Sequence, residues 1–179
     1  YHMGTTAENI AERYQLTREE QDQVALASQQ KAVAAIEAGR FKAEITPLSL
    51  RSKKETRIFD RDEFPRADTT LASLAALRPA FSANGTVTAG NASGINDAAA
   101  TLVLMRESEA KKQGITPLAR IRSWASAGVP SEVMGLGPIP ATQKALLKAG
   151  LTIGDIDLIE ANEAFAAQFL AVQRDLHLD

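Results

Sequence analysis

The sequence predicts an α/β fold: a layered α/β core preceded by a mainly helical segment. Three observations predict it. From residue 86 onward the patterns alternate as strand, helix, strand, helix, strand, helix. The first eighty-odd residues lack that alternation and carry helix-start signals and Ala-rich runs instead. Short polar junctions rich in Gly and Asn join the later strands to the later helices, where open α/β folds bind ligands.

Thr5 and Glu8 have the T-x-x-E spacing of a capping box, which predicts a short helix over ENIAERYQL. Thr17 and Glu20 repeat the device ahead of QVALASQQKAVAAIEAG, a second helix expected to stop at Gly39. Its apolar face (Ala25, Ala32 and Ala35 with Val24 and Ile36) is small and suits close packing. EITPLSL alternates apolar and polar residues as a half-buried strand does, and Pro47 confines it to an edge or a strand end. RSKKETRIFDRDEFPR then carries six basic and four acidic residues. Two readings of it stand side by side: a solvated surface loop, and an electrostatic patch for a phosphorylated ligand, a task for which Arg is well suited.

LASLAAL reads as a short helix ended by Pro79, and TVTAG as a short strand. After the turn NASGIND, DAAATLVLMRESEAKKQ reads as a helix that is apolar all round in its first half, hence buried there, and ends at Gly114. LARIRSWASAGV is expected as a strand, PATQKALLKAG as an amphipathic helix and IDLIEA as another strand. NEAFAAQFLAVQRDL is expected as the final helix.

Composition excludes several classes of function. The 179 residues hold 20 Lys and Arg against 22 Asp and Glu, a net charge of −2. Nucleic acid as the main partner would call for a basic excess. No apolar run reaches the roughly 18 residues of a membrane span, and no basic-then-apolar leader is visible. A cytoplasmic protein that binds neither nucleic acid nor membrane is therefore expected. Cysteine is absent, which excludes a disulfide framework, a Cys-ligated zinc site and a thiol nucleophile carried by these residues. Tyr1 and His2 run straight into a helix signal, and Asp179 follows a long helical pattern. These ends fit an interior piece of a longer chain, or a small protein with tight ends.

Three junctions carry candidate chemistry. In TAGNASGINDAAA, Gly90 and Gly94 allow a sharp turn, and Asn91 and Ser93 offer short polar side chains at a strand end. A helix beginning near Asn96 would aim free N–H groups at the same place. A capped turn with no ligand is the plainer alternative. In EANEAFAAQ, Asn162 and Glu163 sit at a strand-to-helix junction with Phe165 close behind. Asn162 there is either a helix cap or an amide that orients a water or a carbonyl oxygen, the work of an oxyanion hole. In VMGLGPIPA, two glycines and two prolines make a rigid loop that Met134 lines.

Taken together and in order, YHMGTTAEN, RPAF, TAGNASGIND, VMGLGPIPA and EANEAFA resemble the biosynthetic, acetyl-CoA acetyltransferase branch of the thiolase family. The resemblance covers essentially the whole chain. It implies a thiolase-like layered α/β core, present in part, with a mainly helical loop domain. Residues 1–85 would be most of that loop domain, covering coenzyme A. Residues 86–116 would end the N-terminal half of the core, and 117–179 would begin the C-terminal half.

The resemblance also implies an activity: condensation of two acetyl-CoA molecules to acetoacetyl-CoA, or the reverse thiolysis. Family members use a nucleophilic Cys, a His that activates it and a second Cys. Those residues would lie outside this chain, which alone would be inactive. Coenzyme A thioesters would be substrates (acetyl-CoA, acetoacetyl-CoA and free coenzyme A), with no further cofactor and no metal. The full protein would be a homo-oligomer, a dimer or tetramer. By resemblance Asn162 holds a water of the oxyanion hole, and Phe165 lies beside the acyl pocket. Met3 and Met134 line that pocket, and His2 faces the ligand. Ser93 hydrogen-bonds the pantetheine, Ala92 and Ala89 let it lie close, and Phe81 packs near it. Ser73 and Arg66 lie toward the adenine and phosphate end. One departure stands at Ala98, where the family commonly has Gly. A methyl at a buried helix start would cost on the order of 1 kcal/mol. A non-catalytic coenzyme A or acyl-binding module is the competing reading, and a thiolase-like lipid-transfer protein a third.

Overall fold

His2, not Thr5, starts the first helix. In the computed structural model, which describes residues 1–52 and 55–178, helix α1 runs Met3–Tyr14 and the Nδ1 of His2 accepts from the backbone N–H of Gly4. Thr5 and Glu8 therefore lie inside α1, and the expected T-x-x-E box is not formed. The Glu8 carboxylate reaches out of the helix to the segment at 86–87. The second box does form: Thr17 and Glu20 cap each other at the start of α2 (Arg18–Glu37), and Gly39 follows in the left-handed region at φ 69°. The N–H bond from Thr17 holds the Glu20 carboxyl below the usual carboxylate range.

A hairpin follows, β1 (Leu48–Arg51) with β2 (Thr56–Phe59), antiparallel with Leu48 opposite Phe59 and Arg51 opposite Thr56. Two expectations change here. EITPLSL is not half-buried, since all four residues of β1 are exposed. The charged stretch after it is partly a strand, in which Arg57 lies over the Phe59 ring and pairs with Glu63. Two lysines of that stretch, Lys53 and Lys54, fall outside the described residues, as does Asp179. A short helix α3 (Leu71–Ala75) closes this part.

The core forms where α1 meets the later elements. These are a 3-10 helix over Ser131–Leu136, α5 (Pro138–Ala149) and α6 (Ala166–Leu176). Ile10, Val133, Leu136, Ile139, Ala171, Val172 and Leu176 pack as one buried cluster. The approach is close: a Cβ on Gly135 would stand 2.8 Å from Cγ of Gln168 and 2.9 Å from Cδ1 of Ile10. At the rim the Tyr14 hydroxyl donates to Asp175 (2.7 Å), and Arg174 donates to the carbonyl of Tyr14 and to Glu20. Burial first, then the Asp175 carboxylate, pushes the Tyr14 hydroxyl above its usual range.

The later segments depart furthest from expectation. Residues 86–90, 118–129 and 156–161 form no strand, and the only strands among the described residues are β1 and β2. A strand exists only through a ladder to a neighbour, and beside these segments the described residues supply no more than one isolated bridge, Pro79 to Thr88. The helix expected over 97–113 shrinks to α4, Glu107–Lys112. TLVLM is the kind of short apolar run whose period does not separate helix from strand. Leu102, Val103 and Leu104 are 86%, 81% and 73% exposed rather than buried. Ala98 is exposed too, so its methyl meets no crowded helix start. Among the described residues no helix is long and apolar enough to cross a membrane.

Exposure on this scale has a solution consequence. Ile95, Leu102, Val103, Leu104, Leu118 and Trp124 all stand more than two-thirds open to solvent. Apolar patches of this kind promote association. Residues 1–179 expressed alone are expected to self-associate, with a sedimentation coefficient that rises with concentration. A monomer with one sharp thermal transition would refute this.

Candidate functional site

The turn at 88–93 and the junction at 162–166 lie 69 or more residues apart in sequence and are joined in space by backbone hydrogen bonds. The Ser93 N–H donates to the Ala164 carbonyl (3.0 Å), and the Ala166 N–H donates to the Asn91 carbonyl (2.9 Å). Ala92 and Phe165 thus face each other in an antiparallel bridge. Around this seam three aromatic rings meet. Phe165 and Phe81 contact edge to face with centroids 6.2 Å apart, and Phe81 and His2 lie 5.1 Å apart at a tilt. Gly4 is what admits Phe81, because a Cβ there would overlap the ring. His2 therefore has two structural duties, capping α1 and stacking on Phe81.

On one side of the seam opens a cleft of about 930 Å³ lined largely by apolar side chains, Met3, Met134, Leu146, Ile156 and Phe165 among them, with Asn162 at its edge. Asn162 is exposed, and its side chain makes no hydrogen bond among the described residues. It is not the cap of α6: that helix begins at Ala166, its N-cap is Phe165, and no side chain bonds the cap. The helix-cap reading of Asn162 is thereby removed. Next to it, the Ser28 hydroxyl donates to the Glu163 carboxylate (2.5 Å), tying α2 to the junction. One turn into α6, Gln168 is 6% exposed, lines the cleft, and has an Oε1 without a partner among the described residues.

On the other side lies a smaller cleft of about 140 Å³ that includes Gln29, Phe64, Ala92 and Ser93. Gln29 accepts from the backbone N–H of Arg66 (2.7 Å), which places Arg66 beside this cleft with its guanidinium unpaired among the described residues. The Phe64 ring lies against Gly94, where a Cβ would overlap it.

The structure thus brings nine of the eleven candidate residues around one seam: His2, Met3, Phe81, Ala92, Ser93, Met134, Asn162 and Phe165, with Arg66 at its outer end. Ala89 is exposed and lines neither cleft. Ser73 spends its hydroxyl on the capping box of α3, accepting from the Thr70 N–H and donating to the Thr70 carbonyl. The helix N-terminus expected near Asn96 is absent, since α4 begins at Glu107; the N-terminus that meets the turn is that of α6, through the Ala166 N–H. Sequence reasoning passed over Asp22, Arg18 and Gln168, and read Glu8 only as a capping residue. The i, i+4 spacing of Arg18 and Asp22 was the signal available.

Comparison with known proteins follows the same segments. Residues 1–108 match the family model for the thiolase N-terminal domain, and residues 115–179 that for the thiolase C-terminal domain. The acetyl-CoA acetyltransferase of Escherichia coli K12 is 64% identical over 179 residues, which are 100% of this chain and 45% of that protein. That of Paracoccus denitrificans is 58% identical over 179 residues, 46% of its length. Among solved structures, the acetyl-CoA acetyltransferase of Bacillus anthracis superposes with a TM-score of 0.97 at 53% identity, covering 99% of this chain and 45% of that one. Human mitochondrial 3-ketoacyl-CoA thiolase gives 0.90 at 46% identity, again with 45% of its chain covered. The chain therefore spans under half the length of the relatives it matches, and their solved structures carry its α/β fold.

Proposed function

This chain belongs to the thiolase family, and we propose that it supplies the thioester-holding part of an acetyl-CoA C-acetyltransferase. The reaction joins two acetyl-CoA molecules into acetoacetyl-CoA and free coenzyme A, or runs in reverse. One observation carries the reading: the seam between 88–93 and 162–166 sets the Asn162 amide, unpaired among the described residues, beside an apolar cleft. A carbonyl oxygen gains negative charge as a thiolate adds to its carbon. A water held by the Asn162 amide would donate to that oxygen beside Met134 and Phe165, which line the same cleft. The acyl group would lie in the cleft, and the pantetheine would cross the seam past Phe81 and Ser93. The nucleotide would end toward Arg66. The thiol nucleophile must come from residues other than these, because the chain has no Cys. Outside this chemistry the reading assigns no cofactor, and a homo-oligomeric full protein accords with it.

Arg66 tests the outer end of this path. An exposed Arg–phosphate contact is worth roughly 1 kcal/mol. Arg66→Ala in the full polypeptide is expected to raise the Michaelis constant for acetyl-CoA about fivefold and to leave turnover nearly unchanged. An unchanged Michaelis constant would remove Arg66 from the site. The reading as a whole is tested by assaying the full polypeptide for coenzyme A-dependent cleavage of acetoacetyl-CoA.

A further inference from the structure

We propose that Asp22 is a positioning residue that sets the turn at 88–93 against the junction at 162–166, acting through Asn91. The substrate role of that seam rests on the reading just given, but the coupling itself does not. Asp22 sits on α2 and is 3% exposed, and Asn91 is equally buried. The two carboxylate oxygens divide their work. Oδ2 accepts from Nε of Arg18 one turn earlier (2.8 Å), and Oδ1 accepts from Nδ2 of Asn91 (2.9 Å). Arg18 is anchored in turn, because another of its nitrogens donates to the carbonyls of Leu74 (2.5 Å) and Leu77 (3.1 Å) at the end of α3.

Asn91 uses every polar atom it has. Its Oδ1 accepts from the Thr88 N–H (2.8 Å), and its amide donates to Asp22 and to the Thr86 carbonyl (3.1 Å). Its own backbone carbonyl accepts from the Ala166 N–H at the start of α6. An unbroken line of polar contacts therefore runs from the end of α3 through Arg18, Asp22 and Asn91 into the seam. Asp22 lines neither cleft, so its effect on a ligand must pass through Asn91 and the seam residues Ala92, Ser93 and Phe165. A fully satisfied buried network of this kind specifies one geometry, and it loses that geometry when a member is left unpaired. Removing the Asp22 carboxylate would strand one N–H of Asn91 and the charge of Arg18 together.

The test uses the full polypeptide that contains these 179 residues. Asp22→Ala and Asp22→Asn are compared with wild type by hydrogen–deuterium exchange, and by turnover and Michaelis constant for acetyl-CoA well below the melting temperature. For Asp22→Ala, peptides covering 88–94 and 162–167 are expected to exchange about tenfold faster, with α5 unchanged as the internal control. The Michaelis constant should rise about tenfold while turnover stays within about threefold. Asp22→Asn keeps an acceptor for Asn91 but sets an amide N–H against Nε of Arg18, so it should fall between wild type and Asp22→Ala in each readout. Should Asp22→Ala yield no folded protein, Asn91→Ser, too short to reach Asp22, reads the same coupling. Wild-type exchange in both peptides, or a lower melting temperature with an unchanged Michaelis constant, would overturn the proposal. If wild type cleaves no thioester, the functional reading fails, and faster exchange at both peptides still supports the positioning role.

Discussion

Asn162→Asp in the full polypeptide is expected to lower turnover about 100-fold, close to 3 kcal/mol, the usual loss when one oxyanion donor is removed. The fold should hardly notice. Asn162 is exposed, caps no helix and makes no described hydrogen bond, so the change resembles a surface substitution and should stay within about 0.5 kcal/mol in stability. The separation of the two effects makes the experiment informative. An Asp in that place accepts where the amide donates, and it adds negative charge beside the growing oxyanion. Asn162→Ala should fall short of this loss, since it removes the donor without adding the charge. If Asn162→Asp reduces turnover by less than about fivefold, the oxyanion role assigned to this residue is wrong.

Glu8→Ala is expected to cost about 3 kcal/mol of stability. Glu8 projects from α1, and its carboxylate accepts from the backbone N–H groups of Thr86 (2.9 Å) and Val87 (3.0 Å) and from the Thr86 hydroxyl (3.2 Å). Val87 is fully buried, and Gly85 has no room for a Cβ because Glu8 fills the space. Without the carboxylate, two backbone donors lose their partners at a half-buried site. Hydrogen bonds to a charged acceptor are each worth about 1.5–3 kcal/mol, and an unsatisfied buried donor is penalised further. Glu8→Gln keeps one acceptor oxygen and should lose about half as much. The measurement is the denaturant midpoint at unchanged slope. A midpoint for Glu8→Ala equal to that of wild type would show that this bridge stabilises nothing.

Local signals were legible where the partner is local. Thr17 and Glu20 face each other across three residues of one helix, so their spacing alone announces the box that forms. Gly39, Gly114 and Gly150 end their helices in the left-handed region, a property of the residue itself. Thr5 and Glu8 have the same spacing as the working box, yet Glu8 leaves it for Thr86 and Val87, seventy-eight and seventy-nine positions away. His2 supplies the cap instead. Nothing within α1 foretells that choice, because the donors that Glu8 accepts from belong to a segment distant in the chain.

The candidate site divides along the same line. The five motifs, their order and their polar residues lay open in the sequence, and they determined the family and the set of side chains worth testing. Tertiary structure decided which of those side chains meet. It joined Ser93 to Ala164 and Asn91 to Ala166, set Phe81 between His2 and Phe165, left Asn162 without a partner among the described residues, and turned the Ser73 hydroxyl back into its own helix. It also decided that 86–90, 118–129 and 156–161 are not strands here. Their apolar patterns state what each segment can bury, but a ladder needs a second chain segment alongside, which no residue's own pattern provides. Capping, turn-forming and family motifs are encoded over a few neighbouring positions. Burial, pairing and the path of a buried carboxylate such as Asp22 depend on contacts between residues far apart in sequence.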